Sequence, residues 1–225
     1  MGQIIVAPAG ARGFDTNNVT TAVAGSFASA GYRFAVRYIR RDPAHASDLS
    51  ADEIAALHRA GLAVMLVQHV ESEECWWPTD DKGRQYGANA VDACRQLAVP
   101  AGVSAWLDLE GVATDVAPDR IIRYCNLWFD VVAAAGFTPG LYVGWQSGLN
   151  PQQLHDLLKF KRYWAAYNLN LDAYPAVRGV CMRQRPALAG SIPSGVPFEI
   201  DTNVVQPDAL GGLPTVWAPD EWGIL

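Results

Sequence analysis

The residues best equipped for chemistry lie in Trp106-Leu107-Asp108-Leu109-Glu110-Gly111, a short apolar run ending in two carboxylates two residues apart. Successive strand residues point to opposite faces, so Asp108 and Glu110 share a face with Trp106 while Leu107 and Leu109 turn the other way. An acid at the end of a buried strand is costly to desolvate unless something uses it. Two neighbouring acids raise each other's proton affinity, so one can stay protonated while the other stays ionised. One proton donor beside one carboxylate is what cleavage of a glycosidic bond requires. A strand-end Asp/Glu pair can equally cap the next helix or bind a surface arginine, and the pair alone does not choose.

The elements around this pair alternate. A first short strand ends at Gly13-Phe14-Asp15, the alanine-rich residues 20–30 read as a helix stopped by Gly31, and residues 34–39 form a second strand. Ser50-Ala51-Asp52-Glu53 has the form of a capping box opening a helix that Gly61 ends. Residues 63–69 are a continuous apolar strand, as when both faces are covered. After a polar loop, residues 86–97 are helical and residues 104–110 make the fourth strand. Pro118 suits the first turn of a long helix closing at Gly136. Residues 141–144 are strand five, and Asn150-Pro151 opens a fifth helix ending near Lys159.

Beyond Lys159 the helical period is lost. Residues 163–167, 180–184 and 199–205 read as strands joined by connections rich in Pro, Gly and Asn. Alternation of this kind implies a mostly parallel sheet with right-handed crossovers. The predicted fold is α/β, an irregular TIM-like barrel of eight strands with helices mainly after strands one to five. No linker or low-complexity segment interrupts it, so residues 1–225 read as one domain.

In such barrels the active site lies at the C-terminal ends of the strands. Those ends carry Asp15, then Arg37 and Tyr38, then Gln68, His69 and Glu71, then Asp108 and Glu110. Tyr142 and Trp145, Trp164 and Tyr167, Gln184, and Asp201 with Asn203 complete the series. Each has a structural alternative: Asp15 as a helix N-cap, His69 as a hydrogen-bonded strand-end histidine, Arg37 as the partner of a buried acid, Trp164 and Tyr167 as core. The loop Glu71-Ser72-Glu73-Glu74-Cys75-Trp76-Trp77-Pro78 is harder to explain structurally, because adjacent tryptophans in a polar connection mark a binding surface or a lid. One of Trp76 and Trp77 is expected to edge a cleft and stack on a sugar, the other to anchor the loop.

Composition narrows the classes. Half the residues are hydrophobic and 18% are charged, enough for a large core and too few charges for disorder. A net charge of −6 argues against a nucleic-acid binder and removes any general attraction to anionic polymers, so recognition has to be local. Cys75, Cys94, Cys125 and Cys181 are widely spaced with no Cys-x-x-Cys and no adjacent His, so no metal is expected, and nothing in the sequence implies an organic cofactor. Cys94 and Cys125 read as buried free thiols. No run reaches a membrane span, and residues 1–8 lack the basic start and apolar length of a signal peptide. Action outside the cell would need export without a recognisable N-terminal signal; otherwise the chain is cytoplasmic.

Five pieces together resemble the family 25 glycoside hydrolases, the lysozyme-type muramidases, and most closely a related glycoside hydrolase-like branch, the Rv2525c-like domains. They are Gly13-Phe14-Asp15, Leu107-Asp108-Leu109-Glu110, Leu141-Tyr142-Val143-Gly144-Trp145, Tyr163-Trp164-Ala165-Ala166-Tyr167 and Ile200-Asp201-Thr202-Asn203, in family order. The resemblance implies that Glu110 is a general acid and that Asp108 orients a 2-acetamido group or stabilises oxocarbenium charge. It also implies that Asp15 and Asp201 line the same site, and that the partner is a glycan polymer, first of all peptidoglycan. Two segments depart from the family pattern: Thr16-Asn17-Asn18 after the first acid, and Arg183-Gln184-Arg185 on strand seven. A non-catalytic glycan-binding module on the same barrel, and an enzyme for chitin-like chains, stay open as alternatives.

Overall fold

A computed structural model describes residues 2–72, 74–169, 179–186, 190–207 and 210–222. Ten strands form one sheet: β1 (Gln3–Val6), β2 (Arg12–Thr16), β3 (Phe34–Ile39), β4 (Ala63–Gln68), β5 (Ser104–Leu109), β6 (Thr138–Val143), β7 (Tyr163–Ala165), β8 (Val180–Pro186), β9 (Asp201–Val205) and β10 (Thr215–Ala218). Strands β2 to β8 pair in parallel, each with the next. Strand β9 runs antiparallel to both β8 and β2 and closes the eight-stranded barrel. The predicted barrel is present, with its last strand reversed. Strands β1 and β10 form an antiparallel ribbon that pairs with β4 at Trp217↔Val64 and bonds Ser104 of β5 through Thr215.

The helices follow the strands as their caps dictate. Helix α1 (Ala24–Ser29) follows β2, α2 (Ala51–Arg59) follows β3, α3 (Asp80–Gln96) follows β4 and α4 (Pro118–Ala134) follows β5. The fifth helix is reduced to a π-helical turn, Gln153–Leu157, after β6. Ser50 caps α2, its side chain accepting from the Glu53 N–H at 3.2 Å. The capping box is only half made, because the Glu53 carboxylate accepts from Thr20 and Arg37 instead. Helix α3 starts before residue 86: Thr79 accepts from the Lys82 N–H, and Asp80 and Asp81 sit in the first turn. Acids there favour a helix start through the positive end of the dipole, so the last part of the polar stretch read as loop, residues 80–85, belongs to the helix.

Strand β6 likewise begins before residue 141, through Pro139 and Gly140. Gly140 has a packing reason, since a Cβ there would overlap the Trp106 ring. Trp106 and Trp164 meet edge to face inside the barrel at 5.9 Å, and Tyr142 packs on Trp164 at 4.5 Å. Strands β4 and β5 are buried along their whole length. Cys94 and Cys125 are buried free thiols, Cys181 is buried with its Sγ donating to the Tyr163 carbonyl at 3.6 Å, and Cys75 is exposed and free. Of the two connections predicted to lack helices, residues 170–178 and 187–189 lie outside the described residues. Among the described residues no helix is long and apolar enough to cross a membrane.

Candidate active site

Parity along each strand decides which side chains meet. Asp15 sits near the C-terminal end of β2, and the reversed β9 places Asp201 directly opposite it, as Cα partners. Asp201 therefore begins its strand rather than ending it, yet reaches the same mouth. Asp108 pairs with Tyr142 across β5 and β6. Glu110 follows β5 on the face of Asp108, and its carboxyl lies against Gly144, where a Cβ would overlap it. A side chain at 144 would displace this carboxyl.

Electrostatics draw these groups into one basin. Burial, followed by the charges of Asp108, Asp15, Glu110 and Asp201, pushes the Tyr38 phenol well above its ordinary range. Tyr142 is raised in the same way, by burial and then by Glu110, Asp108, Tyr38 and Asp15. Asp15 is itself driven well up, first by burial and then by Asp201, against the amides of Gln184 and Asn203, which favour its anion. Burial and Glu199 raise Asp201 to about 6. A cleft of about 260 Å³ opens here, lined by Asp15, Thr16, Asn17, Tyr38, Tyr167, Glu199, Ile200 and Asp201.

One amide holds Asp15, and a second lies near it. The Tyr142 hydroxyl donates to Gln184 Oε1 at 2.9 Å, which turns the Gln184 NH₂ onto both Asp15 oxygens at 2.8 and 2.9 Å. Trp164 Nε1 donates to Asn203 Oδ1 at 2.8 Å and so orients the second amide. Gln184 is thus a buried support of Asp15, while the Asn203 NH₂, fixed in direction by Trp164, is buried with no hydrogen-bond partner among the described residues. Trp164, 1% exposed, has no face free for a sugar.

Other candidate residues sit elsewhere. Arg37 and Tyr38 are consecutive, as are Gln68 and His69, and in each pair only the second faces the barrel interior. Arg37 is fully buried against Glu53 of α2 at 2.7 Å. Gln68 donates to the Tyr86 carbonyl and accepts from Trp128 Nε1, both at 2.8 Å, and so braces α3 and α4. His69 stacks on Tyr38 at 4.6 Å and bonds Asp48 at 2.9 Å. Glu71 accepts from Lys82 and Tyr86 and ties the loop after β4 to α3.

Trp76 is the loop's anchor. It is buried, its Nε1 donates to the Glu110 carbonyl at 2.5 Å, and its backbone bridges to Val112. Trp77 stays 41% exposed with the Arg120 guanidinium 5.6 Å from its ring centre. Trp145 and Tyr167 are exposed as well. Sequence reasoning passed over Glu199 as a site residue, although Glu199 and Asp201 repeat the two-residue acid spacing of Asp108 and Glu110.

Two expected results follow from these placements. Trp77→Ala should weaken glycan binding by ~1–3 kcal/mol with little change in melting temperature. Trp76→Ala should cost ~3–5 kcal/mol of stability by emptying a buried aromatic site. Binding and thermal melts on both variants separate the roles, and unchanged binding in Trp77→Ala would remove that ring from the site.

The second concerns pH. Asp201 binds its proton more tightly folded than unfolded, so its stabilising contribution is complete below about 4 and lost as pH rises through about 6. Asp201→Asn removes that loss and the charge that raises Asp15. Discounted for partial exposure to ~1 kcal/mol, the variant should melt ~2–4 °C higher at pH 7 and show a smaller fall between pH 4 and 7. A wild-type-like pH dependence would contradict the placement of Asp201.

Comparison with known proteins follows the same lines. The family model described as Rv2525c-like, glycoside hydrolase-like domain matches residues 26–170. No curated protein gives a significant match. The Tat-secreted protein Rv2525c of Mycobacterium tuberculosis, solved with L-tartrate, superposes with a TM-score of 0.63 at 16% identity over 94% of this chain and 100% of its own. The modular autolysin LytC of Streptococcus pneumoniae, solved with a synthetic peptidoglycan ligand, gives 0.59 at 12% identity, covering 86% of this chain and 46% of that one. The lysozyme of Streptomyces coelicolor gives 0.57 at 12% identity over 88% and 93%. At these identities the likeness establishes the fold.

Proposed function

Since the chain belongs to the family of Rv2525c-like, glycoside hydrolase-like domains, we propose that it is a glycoside hydrolase of the bacterial cell wall, cleaving peptidoglycan after N-acetylmuramic acid. The observation that carries this reading is the gathering of Asp15, Asp108, Glu110 and Asp201 with Tyr38 and Tyr142 at one barrel mouth. Glu110 is the general acid, donating a proton to the leaving oxygen as the bond breaks. Asp108, buried one turn of the pleat below, orients the 2-acetamido group or stabilises the developing positive charge.

Asp15 and Asp201 shape the sugar site, and Tyr167 offers an exposed ring at its edge. The lysozyme and the autolysin with its peptidoglycan ligand, both of this barrel shape, support the substrate. The Tat-secreted relative supports action outside the cytoplasm.

The reading is tested by digesting purified peptidoglycan, reducing the products with borohydride and identifying the reduced sugar by mass spectrometry. New ends on muramic acid are expected. New ends on N-acetylglucosamine would assign a different bond, and binding without new ends would make the chain a glycan-binding module.

A further inference from the structure

A second cavity, distinct from the carboxylate cleft, lies between the loop after β3 and the C-terminal end of α3. It measures about 180 Å³; its polar lining includes Arg40, His45 and Asp48, and its apolar wall includes Ile39, Leu49 and Leu97. Every guanidinium nitrogen of the neighbouring Arg37 and Arg41 makes a hydrogen bond. Arg37 holds Glu53, and Arg41 donates to the Val70 and Glu71 carbonyls and to Tyr86. Arg40 differs: its Nε is shielded from solvent and has no hydrogen-bond partner among the described residues. A guanidinium stays charged at every accessible pH, and a buried charged donor without an acceptor is costly.

We propose that this pocket is a binding site for a small aliphatic carboxylate. Arg40 supplies the donor that a carboxylate accepts from. Asp48 keeps its charge, but its oxygens are engaged by other groups, Oδ1 with His69 Nε2 at 2.9 Å and Oδ2 with the His45 N–H at 2.7 Å, which leaves the Arg40 cation to pair with a ligand anion. The apolar wall asks for a hydrocarbon body and disfavours a phosphate dianion. At about 30 Å³ for each water-sized group, the volume admits a ligand of about six non-hydrogen atoms, the size of butyrate.

The pocket also communicates with the cleft. The His45 ring lies 4.8 Å from His69, and His69 stacks on Tyr38, which lines the cleft. A ligand beside His45 is therefore reported by two histidine rings, independently of any glycan cleavage.

The test is a titration of the wild-type protein followed through the ring protons of His45 and His69 by NMR. Sodium butyrate is compared with butyramide, its neutral shape match, at constant ionic strength. Butyrate should shift the His45 signals saturably in the millimolar range, as suits so small a ligand, and butyramide should bind at least tenfold more weakly. Arg40→Met, which keeps the aliphatic stem, should abolish the butyrate response. No saturable shift, or equal shifts with both compounds, would overturn the site. The wild-type comparison decides the matter even if the variant fails to fold.

Discussion

Glu110→Gln should lower peptidoglycan cleavage by ~10²–10⁴-fold, the contribution of a positioned general acid, while leaving the fold intact. The substitution keeps the shape that fits against Gly144 and removes only the transferable proton. It also removes one of the charges raising Asp15, Tyr38 and Tyr142, so thermal stability should stay level or rise. Rates on purified peptidoglycan and thermal melts of the two proteins check both halves. A loss below tenfold in an active preparation would exclude Glu110 as the acid.

Arg37→Ala should destabilise the protein by ~3–5 kcal/mol, because it leaves Glu53 charged and fully buried without its partner. In a chain of this size that corresponds to a fall of ~6–20 °C in melting temperature. The guanidinium donates to both Glu53 oxygens, to the Thr16 carbonyl and to the Ser47 carbonyl at 2.9 Å. Glu53 in turn accepts from the Thr20 amide and hydroxyl at 2.8 and 2.6 Å. One ion pair thus joins β3, α2 and the segment that follows Asp15. Replacing both partners together, as Arg37→Met with Glu53→Leu, should recover part of the loss, the remainder being the Thr20 amide and hydroxyl and the Thr16 and Ser47 carbonyls left without these partners. Denaturant melts distinguish this from a ligand-binding arginine, whose removal would lower glycan affinity and spare stability.

The contrast between Arg37 and Glu110 shows what the residues alone disclose. The two-residue period that puts Trp106, Asp108 and Glu110 on one face was readable, and it holds. The same period forbids Arg37 and Tyr38, or Gln68 and His69, from sharing the interior, so each pair needed dividing. The direction of β9 was not readable, since an antiparallel strand has the same alternation as a parallel one. Its reversal leaves Asp201 at the mouth because the strand starts there.

The β1–β10 ribbon joins segments at opposite ends of the chain, and no local pattern signals such a pairing. Trp76 and Trp77 are alike in type and context. Only the bridge from Trp76 to Val112 and its bond to the Glu110 carbonyl decide which ring is buried. The amides around Asp15 follow the same rule: Gln184 and Asn203 were legible as strand-end polar groups. Their roles depend on Tyr142 and Trp164 fixing which way each amide turns.

The most direct test is a time course of reducing ends released from purified peptidoglycan by the wild-type protein, with Glu110→Gln run alongside. Ends should accumulate in proportion to wild-type protein and stay at the buffer level in the variant. A folded wild-type protein that sediments with the polymer and releases no more ends than buffer would contradict hydrolysis at this barrel mouth.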